Sequence, residues 1–346
     1  MKNNQILEAL GWQPFFQQQL THDEWEAVAP VRVTEQHRSE IVVSGVDGEL
    51  RLSILSSMPE LVVGDWLLLN ENQSFIRLLD RKTCFSRKSA GSQVKQQLLS
   101  ANVDTAFIVC SMNEDFNLNR LERYLSLVNE SGAYPVVVLS KSDLAVQPED
   151  YIRQVQLLDR LLMVEAINTL NVEDVKKLFA WAKFGETIAV LGSSGVGKST
   201  LINTLCNKNV QATSGIRESD AKGRHTTTSR ALLSLCDGGL ILDTPGMREI
   251  QLAENKEGIT KTFADIERLA ENCKYFNCTH TNEPGCAVIK AVKSGELEER
   301  RLRNYSKLLR EEKHNSASLS QKRETDKALG KFYKKTQSEA SKLKGR

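Results

Sequence analysis

The chain has 346 residues, of which 40% are hydrophobic, so it is long enough for two or three domains with sizeable cores. It has no apolar stretch of about 18 residues, and residues 1–5 open no apolar signal segment, so we expect a cytoplasmic protein without a membrane span. The net charge is +2, but residues 310–346 hold 11 basic and 5 acidic side chains, which gives this tail +6 and the rest of the chain −4. A basic tail on a slightly acidic body favours an anionic partner such as nucleic acid.

The N-terminal part of the chain predicts a lead-in followed by a small β-domain. Residues 1–27 predict a short helical or irregular segment, and residues 28–80 contain a series of short strand patterns that is typical of a barrel of the OB type. The five predicted strands are Val28–Thr34, Glu40–Ser44, Glu49–Leu55, Val62–Leu69 and Ser74–Leu79. Acidic residues outnumber basic ones here, so a plain β-module without a ligand remains the alternative.

A basic linker is predicted over residues 81–100. Its first part, residues 81–95, contains five basic residues and no acidic one. Two interpretations stay open: a solvated hinge, or a segment that contacts nucleic-acid phosphates.

From residue 101 to about residue 252, strand and helix patterns alternate. Buried-strand patterns occupy residues 102–111 and 136–139, and helical spacing occupies residues 118–129 and 172–180. This alternation predicts an α/β domain with a mostly parallel sheet, whose ligand lies at the carboxyl ends of the strands.

A phosphate-binding loop of the form GxxxxGKS lies in this domain, between a strand-like run and a helix-compatible one. Its glycines allow backbone N–H groups to surround phosphate oxygens, Lys198 would contact the β- and γ-phosphates, and the Ser199 hydroxyl would bind Mg²⁺. The residues that we assign to nucleotide binding from this motif are Gly192, Ser193, Ser194, Gly195, Val196, Gly197, Lys198, Ser199 and Thr200.

Three further motifs predict a GTPase whose motif order is circularly permuted. A guanine-selecting motif precedes the loop and comprises Ser140, Lys141, Ser142 and Asp143, of which Asp143 could accept hydrogen bonds that only guanine offers. Residues 223–228 supply threonines for a first switch, among which we assign Thr227 to Mg²⁺. Asp243 and Gly246 complete a DxxG second switch for Mg²⁺ and the γ-phosphate. If Asp143 does not contact the base, an ATPase or a small-molecule kinase remains the alternative.

The C-terminal part, residues 253–310, predicts helices around a metal cluster. Cys273, Cys278, His280 and Cys286 offer three thiolates and one imidazole within 14 residues, which suits one tetrahedral Zn²⁺. All four positions come from the protein, so the predicted role is structural. Unligated thiols are the alternative, and residues 311–346 predict a frayed or disordered basic tail.

The chain resembles the ribosome small-subunit-dependent GTPase A (RsgA) family of circularly permuted GTPases. The resemblance runs from residue 10 to about residue 309 and rests on five stretches: Ala101–Asp104, residues 192–200, Gly223–Thr228, Asp243–Glu249 and Cys278–Cys286. It implies an N-terminal OB domain, a permuted G domain and a C-terminal zinc domain. It also implies binding to 16S rRNA in the 30S ribosomal subunit, GTP hydrolysis to GDP stimulated by that subunit, a late step in its maturation, and help in releasing ribosome-binding factor A. We expect a monomer.

The chain departs from the family pattern at two base-contacting positions. The base motif begins with Ser140 instead of asparagine, and we expect its shorter hydroxyl not to reproduce the bridge that the amide makes between guanine and the phosphate loop. Glu165-Ala166 stand where a Ser-Ala pair is expected.

The catalytic residues that the resemblance implies are His225, Lys198 and Thr227. Met247 follows the second switch where many GTPases place a glutamine that orients the attacking water, and His225 is the substitute. We therefore expect slow intrinsic GTP hydrolysis and a partner that completes the catalytic site. A non-catalytic, GTP-regulated RNA-binding checkpoint protein is the alternative function.

Overall fold

The computed structural model describes residues 2–88, 96–207, 230–243 and 255–316. Three sets of predicted features therefore lie outside the described residues: the first-switch residues 223–228, the second-switch residues 244–247 and the tail from residue 317. Within the described ranges, no helix is both long and apolar enough to cross a bilayer.

The lead-in forms three short helices that cover one side of the first β-domain. They are α1 (Lys2–Ala9), α2 (Pro14–Gln17) and α3 (His22–Ala27). A capping box begins α3, since the Thr21 hydroxyl accepts from the Glu24 backbone and the Glu24 carboxylate accepts from the Thr21 backbone. Phe16 and Trp12 pack their rings on the buried Trp66, so the helices share a small aromatic core with the β-domain.

Five strands follow, as the sequence predicts: β1 (Ala29–Gln36), β2 (Glu40–Gly45), β3 (Gly48–Ser53), β4 (Trp66–Leu69) and β5 (Phe75–Leu78). β1 pairs antiparallel with both β2 and β4, β3 pairs with β2, and β5 pairs with β4. We call this unit the N-terminal barrel, a partly open arrangement of the OB type. Its β4 begins four residues later than predicted. The Asp65 carboxylate accepts from the Val62 backbone at 2.8 Å, which folds residues 62–65 into a turn.

The predicted linker contains an antiparallel hairpin, β6 (Cys84–Lys88) and β7 (Gln96–Ala101). Arg81, just before it, binds the fully buried Asp65 carboxylate with two hydrogen bonds of 2.7 and 2.8 Å. The start of this segment is therefore anchored to the barrel.

The central sheet contains β8 (Thr105–Ser111), β9 (Tyr134–Ser140), β10 (Met163–Ile167), β11 (Thr187–Gly192), β12 (Arg230–Ser234) and β13 (Leu240–Asp243). Its order is β10-β9-β8-β11-β13-β12, with only β12 antiparallel among these described strands. The prediction of a mostly parallel sheet is confirmed. The five parallel strands end at the same edge, where a ligand site is expected.

Helices cover both faces of the central sheet. α4 (Leu118–Ser131) and α5 (Pro148–Gln156) pack on one face, and α6 (Val172–Lys176) and α7 (Lys198–Cys206) pack on the other. Two short 3-10 helices span Ser142–Leu144 and Lys177–Trp181.

Four C-terminal helices extend the α4 face: α8 (Lys256–Thr262), α9 (Ala264–Ala270), α10 (Ala287–Ser294) and α11 (Glu299–Ser316). Their apolar side chains join the same core as α4. Glu122 of α4 is fully buried and accepts hydrogen bonds from Arg300, Arg301 and Asn304 of α11, and Arg301 also pairs with Asp265 of α9 at 2.8 Å. This charge network fixes the C-terminal helices on the central domain.

Strand β1 of the barrel contacts two strands of the central sheet. β1 pairs with β12 through Glu35–Ala231 and Gln36–Arg230, which extends the central sheet into the barrel. The buried Arg32 of β1 donates to the Thr187 hydroxyl at 2.9 Å, at the beginning of β11. Burial lowers the pKa of this guanidinium to about 10, so it remains a cation at neutral pH.

Candidate functional site

The predicted phosphate loop lies between β11 and α7, at the carboxyl edge of the central sheet. Gly192 and Gly197 have φ values of 142° and 96°, which favour glycine. A Cβ atom at Gly192 would also collide with the Val109 carbonyl oxygen of the neighbouring β8. Glycine at these positions therefore lets the backbone turn from the strand into the first turn of α7.

Lys198 begins α7 and is directed back over the loop. Its side chain is 7% exposed, and its ammonium donates to the Ser193 carbonyl. The Ser193 hydroxyl accepts from the Arg120 guanidinium at 2.6 Å. Two cations from separate helices thus contact one residue of the loop. Ser199 and Thr200 follow Lys198 in the first turn of α7, where the N-terminal backbone N–H groups favour an anion.

The predicted base motif lies at the end of β9, two strands from β11. Ser140 is fully buried, and its hydroxyl lies 2.6 Å from the Val196 carbonyl and 3.3 Å from the Cys110 carbonyl. The hydroxyl therefore reaches the phosphate loop, because the loop approaches β9 closely, and the expected loss of the asparagine's contact to guanine stays a prediction. Lys141 has a φ of 60°, which turns the chain into the 3-10 helix that carries Ser142 and the exposed Asp143.

The segment after β10 contributes a residue that the motifs do not indicate. Glu165 and Ala166 lie within β10, opposite Val138 and Leu139. Thr169, two residues after the strand, is 5% exposed, and its carbonyl accepts from the Thr204 hydroxyl of α7 at 3.0 Å. A Cβ atom on Gly197 would lie 3.5 Å from the Thr169 hydroxyl, so Thr169 lines the back of the phosphate loop.

Of the remaining residues predicted to bind the nucleotide, the structure describes only Asp243. Asp243 is the last residue of β13, which pairs with β11 next to the phosphate loop. Gly246, Met247, His225 and Thr227 lie outside the described residues. The described structure therefore brings together the base motif, the phosphate loop and the strand that leads to the second switch.

The four predicted metal ligands lie together between α9 and α10. Their ligand atoms all lie within 4.8 Å of one another. Cys273 Sγ is 3.8 Å from Cys286 Sγ, and His280 Nδ1 is 3.4 Å from Cys286 Sγ. Metal–sulfur bonds of about 2.3 Å in a tetrahedron separate two sulfurs by about 3.8 Å, so the donor set fits a metal ion.

Local electrostatics favour the ligand forms of Cys273 and His280, whereas burial raises the pKa of Cys278 to about 11. Burial acts to raise the pKa of Cys273, but hydrogen bonds from the Val288 and Ala287 backbones, together with those of Cys286 and Cys278, lower that pKa. Burial lowers the pKa of His280, which favours the neutral imidazole. Glu283 holds the ligand loop together by accepting from the Thr279 and Thr281 backbones at 2.8 and 2.9 Å.

Three residues near the phosphate loop were not found from the sequence: Arg120, Tyr124 and Thr169. Tyr124 lies near Ser193, whose hydroxyl acts to lower the tyrosine pKa that burial raises. Arg120 and Tyr124 are some 70 positions from the loop and belong to a helix whose spacing predicts only an amphipathic packing face. No local signal marks them, because the contact depends on β8 and β11 being neighbours in the sheet.

Comparisons with known proteins agree with this fold. A family model described as RsgA GTPase matches residues 78–253. The chain is 51% identical over 336 residues to the small ribosomal subunit biogenesis GTPase RsgA 2 of Vibrio parahaemolyticus, covering 97% of this chain and 94% of that protein. It is 52% identical over 338 residues to the RsgA 2 protein of Vibrio vulnificus, covering 98% and 97%.

Two crystal structures share the fold at lower identity. YjeQ from Thermotoga maritima has a TM-score of 0.59 and 23% identity, covering 82% of this chain and 98% of that one. YloQ, described as a circularly permuted GTPase, has a TM-score of 0.59 and 21% identity, covering 86% and 99%. From the family match and the relatives that span nearly its whole length, the chain belongs to the RsgA GTPase family and is a circularly permuted GTPase.

Proposed function

We propose that this chain hydrolyses GTP to GDP to assist late maturation of the 30S ribosomal subunit, binding to its 16S rRNA. The relatives' name, small ribosomal subunit biogenesis GTPase, supports the process. The observation that carries a nucleotide-dependent role is the convergence of the base motif and the phosphate loop, which the Ser140 hydroxyl joins at 2.6 Å. The protein would act as a cytoplasmic monomer and would help to release ribosome-binding factor A once the subunit is mature.

Each motif has a proposed role in binding the nucleotide. The backbone of residues 192–200 and the Lys198 ammonium hold the phosphates, and Asp143 selects guanine. Ser199, Thr227 and Asp243 would hold Mg²⁺, which would supply positive charge to the β- and γ-phosphates. Gly246 would sense the γ-phosphate.

Hydrolysis is proposed to be slow until a partner completes the site. Methionine at position 247 cannot orient a water molecule, and His225 is assigned to that role on the first switch. Binding of the 30S subunit would place His225 and Thr227 and so accelerate the reaction.

We propose that the Cys273, Cys278, His280 and Cys286 cluster holds one structural Zn²⁺. The supporting observation is the tetrahedral spacing of the ligand atoms. Elemental analysis of the purified full chain should find one zinc per molecule. Cys278→Ala should lose the metal while GTP binding is retained, because none of the four metal ligands belongs to a nucleotide motif. Zinc-free wild-type protein would contradict this assignment.

Single-turnover hydrolysis with and without 30S subunits tests the proposed function, with ATP as the competing substrate. We expect slow GTP turnover that 30S subunits accelerate, no ATP turnover, and loss of activity in Lys198→Ala. GTP binding without any stimulated turnover would instead favour the non-catalytic checkpoint protein. ATP turnover would show that Asp143 does not select the base.

A further inference from the structure

Arg120 lies at the edge of the sheet where the nucleotide is expected. It is in the first turn of α4, whose N-cap Asn117 accepts from the Arg120 backbone at 3.1 Å. α4 follows β8, and β8 is the parallel neighbour of β11. The guanidinium therefore approaches the phosphate loop from the adjacent strand connection, and no sequence motif includes it.

Arg120 and Lys198 converge on Ser193 from two sides. The Arg120 Nη1 atom lies 2.6 Å from the Ser193 hydroxyl, and the Lys198 ammonium binds the carbonyl of the same residue. In loops of this type, backbone N–H groups surround the α- and β-phosphates and the lysine contacts the β- and γ-phosphates. Ser193 thus marks the end of the loop that holds the terminal phosphate, and the Arg120 guanidinium lies beside that end.

The present partner of Arg120 is one that a phosphate can replace. Both Asp115 carboxylate oxygens lie 2.9 Å from Arg120 Nη1, and the two side chains, Arg120 and Asp115, are 36% and 43% exposed. Exposed ion pairs of this kind contribute little to stability. A planar guanidinium binds phosphate with charge-assisted hydrogen bonds, and the terminal phosphate of GTP has more charge than one carboxylate.

We infer that Arg120 leaves Asp115 and adds a second positive charge, beside Lys198, to the terminal phosphate of bound GTP. This inference rests on the proposed phosphate site. Because GDP lacks that phosphate, Arg120 distinguishes GTP from GDP. The phosphate-loop motif contains one cation, the lysine. Arg120 would be a second one, supplied by the same chain, that stabilises the charge of the terminal phosphate.

Equilibrium titrations of the full-length protein with GDP and a non-hydrolysable GTP analogue test this role. Arg120→Gln should weaken binding of the GTP analogue about tenfold, the scale of one hydrogen bond to a charged group, and binding of GDP less than about twofold. Arg120→Lys should recover part of the loss. Asp115→Asn should keep or increase affinity for the GTP analogue, because the competing carboxylate charge is gone.

Three variants separate this charge effect from a purely structural role of Arg120. Ser193→Ala removes the hydroxyl that Arg120 binds, and Tyr124→Phe removes the neighbouring phenol hydroxyl, and neither change removes charge. If they reproduce the Arg120→Gln loss, or if that loss is equal for both nucleotides, Arg120 only holds the loop and the inference fails. Arg303→Gln removes an equal charge from an exposed pair with Glu299 on α11 and should change neither affinity.

The proposed site itself has a separate control. Lys198→Ala should weaken binding of both nucleotides. Normal binding in Lys198→Ala would overturn the phosphate-loop assignment, whereas weakened binding there with unchanged binding in Arg120→Gln would overturn only the role of Arg120. Thermal denaturation of each variant tests whether a loss of nucleotide affinity results from a loss of folding.

Discussion

At the scale of single residues, Ser140 connects the end of β9 to the phosphate loop. Its hydroxyl is a donor held between two carbonyl oxygens, at 2.6 Å from Val196 and 3.3 Å from Cys110. Both acceptors are backbone groups, so the bond fixes the distance between β9 and the phosphate loop. The fully buried position leaves little space for a larger side chain.

Removing this hydroxyl should loosen the phosphate loop. We expect Ser140→Ala to lower affinity for GTP and GDP alike by about 1 kcal/mol, because the Val196 carbonyl loses a buried partner. Equilibrium titration with both nucleotides measures the effect. Ser294→Ala removes a hydroxyl that donates to the Ala291 carbonyl in α10 and serves as the control. Equal affinities of Ser140→Ala and the wild type would show that the bridge contributes nothing to binding.

The pair between Glu24 and Arg77 predicts an acid-dependent loss of stability. Hydrogen bonds from the Arg77 guanidinium at 2.8 and 2.9 Å lower the pKa of Glu24 from 4.5 to about 2. A carboxyl whose pKa is lowered by folding stabilises the fold above its unfolded value, and the contribution is lost as pH falls through the folded value. The pair should therefore stabilise the attachment of α3 at neutral pH and cease to do so between pH 4.5 and 2.

Urea denaturation at pH 7 and pH 3 measures this dependence. We expect Glu24→Gln to be less stable than the wild type at pH 7, with a smaller difference at pH 3. Glu40→Gln breaks an exposed pair with Arg51 and provides a matched control. A difference between Glu24→Gln and the wild type that does not change with pH would contradict the assignment.

At the scale of helices, the packing of α4 against α11 depends on one buried carboxylate. Glu122 is surrounded by Arg300, Arg301 and Asn304, and burial of the Arg301 guanidinium is outweighed by its bonds to Asp265 and Glu122, which raise its pKa. Such a network does not by itself indicate high stability, since desolvation opposes it. It does position α11 on α4, because the buried Glu122 carboxylate takes its hydrogen bonds from Arg300, Arg301 and Asn304 of that helix.

Breaking the network should therefore be costly. We expect Glu122→Leu to lower the free energy of unfolding by about 3 kcal/mol, because the buried Arg301 guanidinium keeps only Asp265 as an acidic partner and the Asn304 amide loses its acceptor. Urea denaturation followed by circular dichroism measures the loss. Glu299→Gln breaks only the exposed pair with Arg303 and should change stability by less than about 0.5 kcal/mol. A small effect of Glu122→Leu would show that the helices rearrange around the change.

The sequence predicts these elements unequally well, for physical reasons. The parallel strands are evident because buried strands form continuous apolar runs, as in residues 136–139. The beginning of β4 is not evident from the sequence. Residues 62 and 63 are apolar, as in a strand, yet they lie in a turn that the hydrogen bond from the Val62 backbone to the Asp65 carboxylate stabilises. The β6–β7 hairpin is obscured by its basic composition, since the charge pattern suggests a solvated linker.

The candidate site was predictable wherever its residues are adjacent in the chain. The phosphate loop and the metal cluster are local motifs, and the structure brings the described members of each together. Arg120 and Thr169 required the order of the strands. That order depends on which apolar faces pair in three dimensions, and no single segment contains this information.

At the scale of the whole molecule, the basic segments should control binding to the ribosome. Arg81 and Lys82 already pair with Asp65 and Asp104, at 2.7 and 3.0 Å, so they are poor candidates for binding phosphates. Neutralising Arg87, Lys88 and Lys95 together should weaken binding to 30S subunits at low salt. It should also flatten the dependence on salt by roughly 0.7–0.9 in logarithmic slope for each phosphate group that the variant no longer binds.

Co-sedimentation with 30S subunits across a salt series measures this slope, and intrinsic GTP hydrolysis provides the internal control. Exchange of Lys176, Lys177 and Lys183 for glutamine removes the same charge from the opposite side of the central domain. Equal slopes for the two triple variants would mean that the hairpin segment makes no particular contribution.

The junction between barrel and central sheet sets limits on how such proteins can be cut or recombined. A chain that began at residue 101 would expose the edge of β12 that β1 covers, and would leave the Thr187 hydroxyl without the Arg32 donor. One loss falls on β11, which leads into the phosphate loop, and the other on β12, which is separated from β11 by β13 in the same sheet. The barrel is therefore not an exchangeable module, although sequence boundaries make it look like one. Duplication, fusion or loss of the barrel alone would disturb the sheet that holds the nucleotide site. We therefore expect the two units to be inherited together.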